Sequence, residues 1–193
     1  MVNCEDWASG QNDEMFAVVQ GPNQGQRHFT VQTRIEAAEW HDQHWIRLIG
    51  PATFTAAPTL LEFVDRILEN GACDIGLDLA ACGWMDSTFA GTLVSLLKKG
   101  NRDCPVRLRL HNPSKSCLEG LARMNLDKLF SIDARGAPDR AEWEAVDGGD
   151  VPKAELAEIV IRAHEDLGSA DPGNEKFGRI ADALRKNIRS SSE

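Results

Sequence analysis

"DIGLDLAACGWMDSTFAGTLVSLLKKG", residues 74–100, decides the fold. Ile75, Leu77 and Leu79 point one way, and Asp74, Gly76 and Asp78 the other, which is the two-residue period of a strand. A polar triplet follows, Asp86-Ser87-Thr88, and then a helix-like run ended by Lys98-Lys99-Gly100. A Ser or Thr at such a turn caps the helix by accepting a backbone N–H. The mouth of a helix also carries unpaired N–H groups and partial positive charge, so a phosphate on one of these hydroxyls has local support. Phosphorylation there adds roughly −1.5 to −2 charges, enough to change how a partner binds. Ala90 and Gly91 keep the first turn low, so another backbone can come close. Plain capping, with Gly91 present only for packing, explains the same residues without phosphorylation.

Upstream, "FTVQTRIEA" puts Phe29, Val31, Thr33 and Ile35 on one face, and "HWIRLIGPA" is a second strand ended by Gly50-Pro51. The polar "AEWHDQ" between them makes a hairpin. Pro58 opens a helix whose Leu60, Leu61, Val64, Ile67 and Leu68 recur at helical spacing, and Asn70-Gly71 stops it. Downstream come the strand "PVRLRLH", with Val106, Leu108 and Leu110 inward, the helix "SKSCLEGLARMN" and the short strand "LFSI". Strands alternating with helices of this length build a largely parallel sheet with helices packed on it, an α/β fold.

The outer segments differ in character. Residues 1–28 are polar and expected to be partly flexible, with "MFAVV" at 15–19 read as a short strand. Residues 29–133 form the sheet domain, and 134–150, rich in Pro, Gly and charge, read as a linker. Residues 151–189 carry two apolar stripes, Leu156, Ile159, Val160, Ala163 and Leu167, then Phe177, Ile180, Ala181, Leu184 and Ile188. With "SADPGN" between them they make a C-terminal helical hairpin, free to fold back on the sheet or to bind another chain.

A net charge of −9 argues against a nucleic-acid partner or an anionic membrane surface, which need a basic face. No run reaches the roughly 20 apolar residues of a membrane span. The start, "MVNCEDWASGQNDE", lacks a basic segment followed by an apolar one, so no secretory signal and a cytoplasmic location are expected. Five cysteines, none in C-x-x-C, fit reduced thiols.

The central stretch resembles the core motif of STAS domains, the anti-sigma factor antagonist family. Asp78-Leu79 matches the family's strand, Asp86-Ser87-Thr88 its Asp-Ser-Ser/Thr turn, and "LARMNLDKLFSI" its closing helix and strand, with Asn125-Leu126 where Gly-Leu is usual. Phe89 stands where Gly is most frequent. The resemblance covers about residues 29–133. It implies a mixed, largely parallel STAS sheet and a bacterial binding switch, not an enzyme. The unphosphorylated chain captures an anti-sigma factor that is itself a serine kinase. The kinase then phosphorylates Ser87, or Thr88 as second choice, and a serine phosphatase resets the switch. Partner contacts are carried over to Asp86, Thr88, Phe89, Ala90, Gly91 and Asp78. Asp78 is either part of that polar patch or a solvated strand-edge carboxylate. The alternative is an unphosphorylated STAS adaptor or scaffold subunit in a signalling assembly or membrane-transport complex, which Phe89 and the extra helices favour. A homodimer through the C-terminal helices is a further expectation.

Other residues carry less. His41 and His44 have no evident third ligand, so no metal site and no cofactor are expected. No histidine lies in the motif beside Ser87, and neither a G-x-S-x-G elbow nor a phosphate loop is present, which leaves a hydrolase without a positive case. Cys82 reads as a small buried apolar residue, with a redox-sensitive thiol as the other reading. Trp84 reads as core or core edge, or else as an interface anchor. Trp7 and Trp143, in polar surroundings, are expected to dock on the domain or on a partner.

Overall fold

A computed structural model of the protein describes residues 33–41, 43–100 and 105–190. The strands are β1 (Arg34–Trp40), β2 (Gln43–Ala52), β3 (Asp74–Asp78), β4 (Cys82–Met85), β5 (Arg107–His111), β6 (Ser131–Asp133) and β7 (Glu144–Ala145). The helices are α1 (Ala57–Glu69), α2 (Ser87–Leu97), α3 (Lys115–Arg123), α4 (Lys153–Ala170) and α5 (Glu175–Ser190). The sheet runs β6-β5-β3-β2-β1-β7, with β4 pairing β2. The β2–β3, β3–β5 and β5–β6 pairs are parallel, and β1 is antiparallel to both β2 and β7. The expected mixed, largely parallel sheet with helices on it is what forms. Phe29, Val31 and the "MFAVV" segment lie outside the described residues.

Strand alternation sorts the two faces of the sheet. Ile46 and Leu48 of β2, Ile75 and Leu77 of β3, and Leu108 and Leu110 of β5 bury against the helices in one continuous core. Helix α1 contributes Leu60, Val64 and Ile67, and α3 contributes Cys117 and Leu121. Gly71 ends the α1 turn at φ +84°, a conformation that costs glycine little. The opposite face holds a smaller cluster of Ala38, Trp45 and Ala141, with Trp40, Ala137 and Trp143 against it. The ring of Trp143 lies under the Arg47 guanidinium, 3.8 Å from its centroid, so this tryptophan docks on the domain as expected.

Three local features depart from the sequence reading. Two residues of the linker-like stretch, Glu144 and Ala145, add β7 to the sheet edge through backbone bonds that carry no side-chain signature. Cys82–Met85 forms β4 inside the turn region, with Cys82 and Met85 buried and Trp84 half exposed rather than in the core. Cys82 and Cys117 are buried free thiols with their sulfurs 3.5 Å apart, but Cys73 is disulfide-bonded, against the expectation of uniformly reduced cysteines.

Candidate functional site

Asp86 begins the site. It is the N-cap of α2, with extended backbone, and its Oδ1 accepts the Phe89 amide at 2.7 Å. Its Oδ2 accepts the Phe54 amide at 2.8 Å, so one carboxylate closes both the mouth of α2 and the turn before α1. Burial pushes its pKa up to about 6, outweighing the amides that hold it down. Asp86 is therefore a clamp between two backbone segments.

Ser87 is the first residue of α2 and is half-buried. Its hydroxyl lies 3.3 Å from Nε2 of His164, a residue of α4 that is 77 positions away in the chain. Nδ1 of His164 is 2.8 Å from the Val160 carbonyl, which can only accept, so Nδ1 carries the ring proton. In the neutral ring Nε2 then accepts, and the Ser87 hydroxyl donates to it. Burial lowers the His164 pKa, against a smaller upward pull from the Val160 bond, which keeps the ring neutral. The motif itself holds no histidine beside Ser87, and only the folded hairpin supplies one. Helix α4 covers the hydroxyl on that side.

The rest of the triplet and its successors turn inward. Thr88 is 5 % exposed and Phe89 is fully buried in the main core, together with Ala90. Gly91 faces α4 so closely that a Cβ there would sit 2.3 Å from the Ala163 carbonyl oxygen. Its missing side chain lets a backbone approach, as its size suggested, and the backbone in question belongs to the same chain. One turn on, the Ser95 hydroxyl bonds the Asp166 carboxylate, and Lys98 pairs with the same group at 2.5 Å. Ser87, Gly91 and Ser95, continued by Lys98 at the C-cap, thus form one stripe along α2, and α4 lies against it.

Asp78 does not join this group. It lies on the other face of the sheet at 3 % exposure, with Oδ2 bonded to Arg47 Nε at 3.0 Å and Oδ1 accepting the Ala80 amide. It is neither a solvated strand-edge carboxylate nor part of the Ser87 patch. Asn125, where the motif usually has Gly, takes φ +55°, a conformation that asparagine tolerates better than most residues. Its side chain reaches Asp171 at the end of α4, at 2.6 Å. His41 and His44 flank the β1–β2 turn, and among the described residues no cluster of three potential metal ligands exists. Among the described residues no helix is long and apolar enough to cross a membrane.

Comparison with known proteins bears on this architecture. A family model described as STAS domain matches residues 34–137, more than half of the chain. Two solved structures are similar at low identity. One, from Thermotoga maritima and described as a candidate anti-sigma factor antagonist, is 22% identical with a TM-score of 0.46, over 50% of this chain and 83% of that one. The other, the anti-sigma factor antagonist SpoIIAA in its unphosphorylated form, is 18% identical with a TM-score of 0.45, over 53% of this chain and 88% of that one. No curated protein matches. With the strand–turn–helix unit around Asp86, the family match places the protein plainly: the chain belongs to the STAS domain family.

Proposed function

We propose that the protein is an anti-sigma factor antagonist, a binding switch that captures an anti-sigma factor serine kinase and is released by phosphorylation. The observation that carries this reading is the Ser87 hydroxyl at the first residue of α2, inside the STAS match and next to a carboxylate that fixes the helix mouth. The helix N-terminus favours an anion on that oxygen, so phosphate there is stabilised locally. Ser87 is the acceptor on this reading, because the Thr88 hydroxyl is the more buried of the two. Asp86 orients the turn.

Incubation of the protein with ATP and the serine kinases of its own genome, followed by peptide mass spectrometry, tests this. Phosphate on residue 87 that disappears in Ser87→Ala supports the switch. A kinase that neither binds nor modifies the chain would overturn it. A second reading, an unphosphorylated STAS adaptor or scaffold subunit, draws on the cover that α4 places over Ser87. Stable assemblies that never carry phosphate would favour it.

A further inference from the structure

The face of α2 that runs through Ser87, Gly91, Ser95 and Lys98 is already occupied, by the chain's own α4. Along that stripe the joint is polar and close-fitting. Ser87 meets His164, Gly91 meets the Ala163 backbone, and Asp166 meets both Ser95 and Lys98. Leu167 and Phe177 add apolar contact with the main core. The hairpin also has a core of its own, built from Ile161, Ala181 and Leu184 with Val160, Ile180 and Ile188 against them. Helices α4 and α5 approach at paired glycines, where a Cβ on Gly168 would lie 3.3 Å from the Gly178 nitrogen. The hairpin thus has the internal packing to move as a unit: undocking replaces its polar contacts with water and exposes Leu167 and Phe177.

We propose that the C-terminal hairpin is an intramolecular competitor for the α2 face, and that a protein partner reaches Ser87 only when α4 undocks. The partner such a face fits presents a helix that mimics α4. It carries a small residue opposite Gly91 and, one turn on, a carboxylate that takes Ser95 and Lys98. The same competition governs modification. A phosphoryl group brings a phosphorus and three more oxygens, and the 3.3 Å between the Ser87 hydroxyl and His164 does not hold them. The docked hairpin thus blocks the Ser87 hydroxyl on its His164 side, against both the phosphate and the kinase that would deliver it. This inference rests on the binding-switch reading for its biological meaning, but its test needs no partner.

The test uses the full-length chain with Ser87→Cys and an alkylating reagent, with each cysteine followed by peptide mass spectrometry. The buried thiols of Cys82 and Cys117 serve as internal clocks for global unfolding. If the hairpin opens by itself, the thiol introduced at position 87 reacts at least about tenfold faster than these two, yet far more slowly than an exposed thiol. Adding Asp166→Lys removes the acceptor that Ser95 finds on α4, leaving only the Gly91 carbonyl within α2, and sets like charge against Lys98; it is expected to speed position 87 a further tenfold or so while Cys82 and Cys117 hold their rates. A position 87 that reacts only as fast as Cys82 and Cys117 would mean a permanent cover. One that reacts as an exposed thiol would mean no cover at all. Either result overturns the proposal, and if Asp166→Lys does not fold, the single Ser87→Cys chain still decides between them. A chain that opens but is never phosphorylated would sink the switch reading and leave this inference standing. Phosphorylation without opening would do the reverse.

Discussion

The two faces of α2 are held by different forces. Toward the sheet, Phe89, Leu93 and Leu96 recur at helical spacing and vanish into the main core. Toward α4, the helix shows Ser87, Gly91, Ser95 and Lys98, and the contacts along this stripe are hydrogen bonds, an ion pair and a close backbone approach, with Leu167 as the apolar anchor beside it. Apolar burial has no substitute in water, so the first face is committed to the fold. Hydrogen bonds to exchangeable partners contribute only about 0.5–1.5 kcal/mol each, net of the water they displace, so the second face can trade one partner for another. A helix with one permanent and one negotiable face suits a binding domain.

Substitutions can break this contrast in order of size. Phe89→Ala removes a fully buried ring from the committed face and should cost roughly 3–5 kcal/mol in chemical denaturation. A loss below about 1 kcal/mol would show that the core face is looser than its burial implies. Gly91→Ala drives a methyl into the Ala163 carbonyl, which is backbone and cannot rotate away. The expected loss is about 1–3 kcal/mol, felt as faster amide exchange in α4 and α5 while β3 and β5 keep their protection. Equal effects on sheet and hairpin would mean that the two faces are not separable.

Asp86→Ala deprives the Phe89 and Phe54 amides of their acceptor and should cost on the order of 1–2 kcal/mol near neutral pH. That gap has a pH signature. The Asp86 pKa is raised from 3.8 to about 6 by burial, so the folded state holds the proton more tightly than the unfolded chain. Its contribution to stability is complete below about pH 4 and is lost as the pH rises through 6. The advantage of wild type over Asp86→Ala should therefore widen as the pH falls from 7 to 4, by on the order of 2 kcal/mol in paired melts. A constant gap would mean that the carboxyl titrates as it does in the unfolded chain. Smallest of all, Ser87→Ala should change stability by about 1 kcal/mol or less, because one neutral hydrogen bond to His164 is lost.

The sequence reveals the committed face far better than the negotiable one. Helix α1, strands β3 and β5 and the turn at 86–88 are legible because their signals are local: apolar spacing, a polar triplet at a helix start, a stop at Asn70-Gly71; the cap itself is Asp86 and not the Ser or Thr expected. The apolar stripes of 151–189 likewise mark two helices. What they pack on is not local information. The Ser87–His164 bond joins residues 77 positions apart, and the period of a helix says nothing about which surface it will meet. Asp78 is misjudged for a related reason. Alternation puts it on the face away from the helices, but only the β2–β3 register sets it opposite Arg47. Trp84 escapes because a short added strand, β4, turns its ring outward while Cys82 and Met85 take the inside. The β7 pair at Glu144–Ala145 is made of backbone hydrogen bonds alone, and no side-chain pattern announces it.

The order of the chain gives the α4 cover a schedule. Helix α2 ends at Leu97 and α4 ends at Ala170, so on a ribosome α2 emerges well before the segment that covers it. At about 5–20 residues per second, the interval between them is on the order of 4–15 seconds. Until α4 has emerged, this chain has nothing of its own to lay over the Ser87–Gly91–Ser95 stripe.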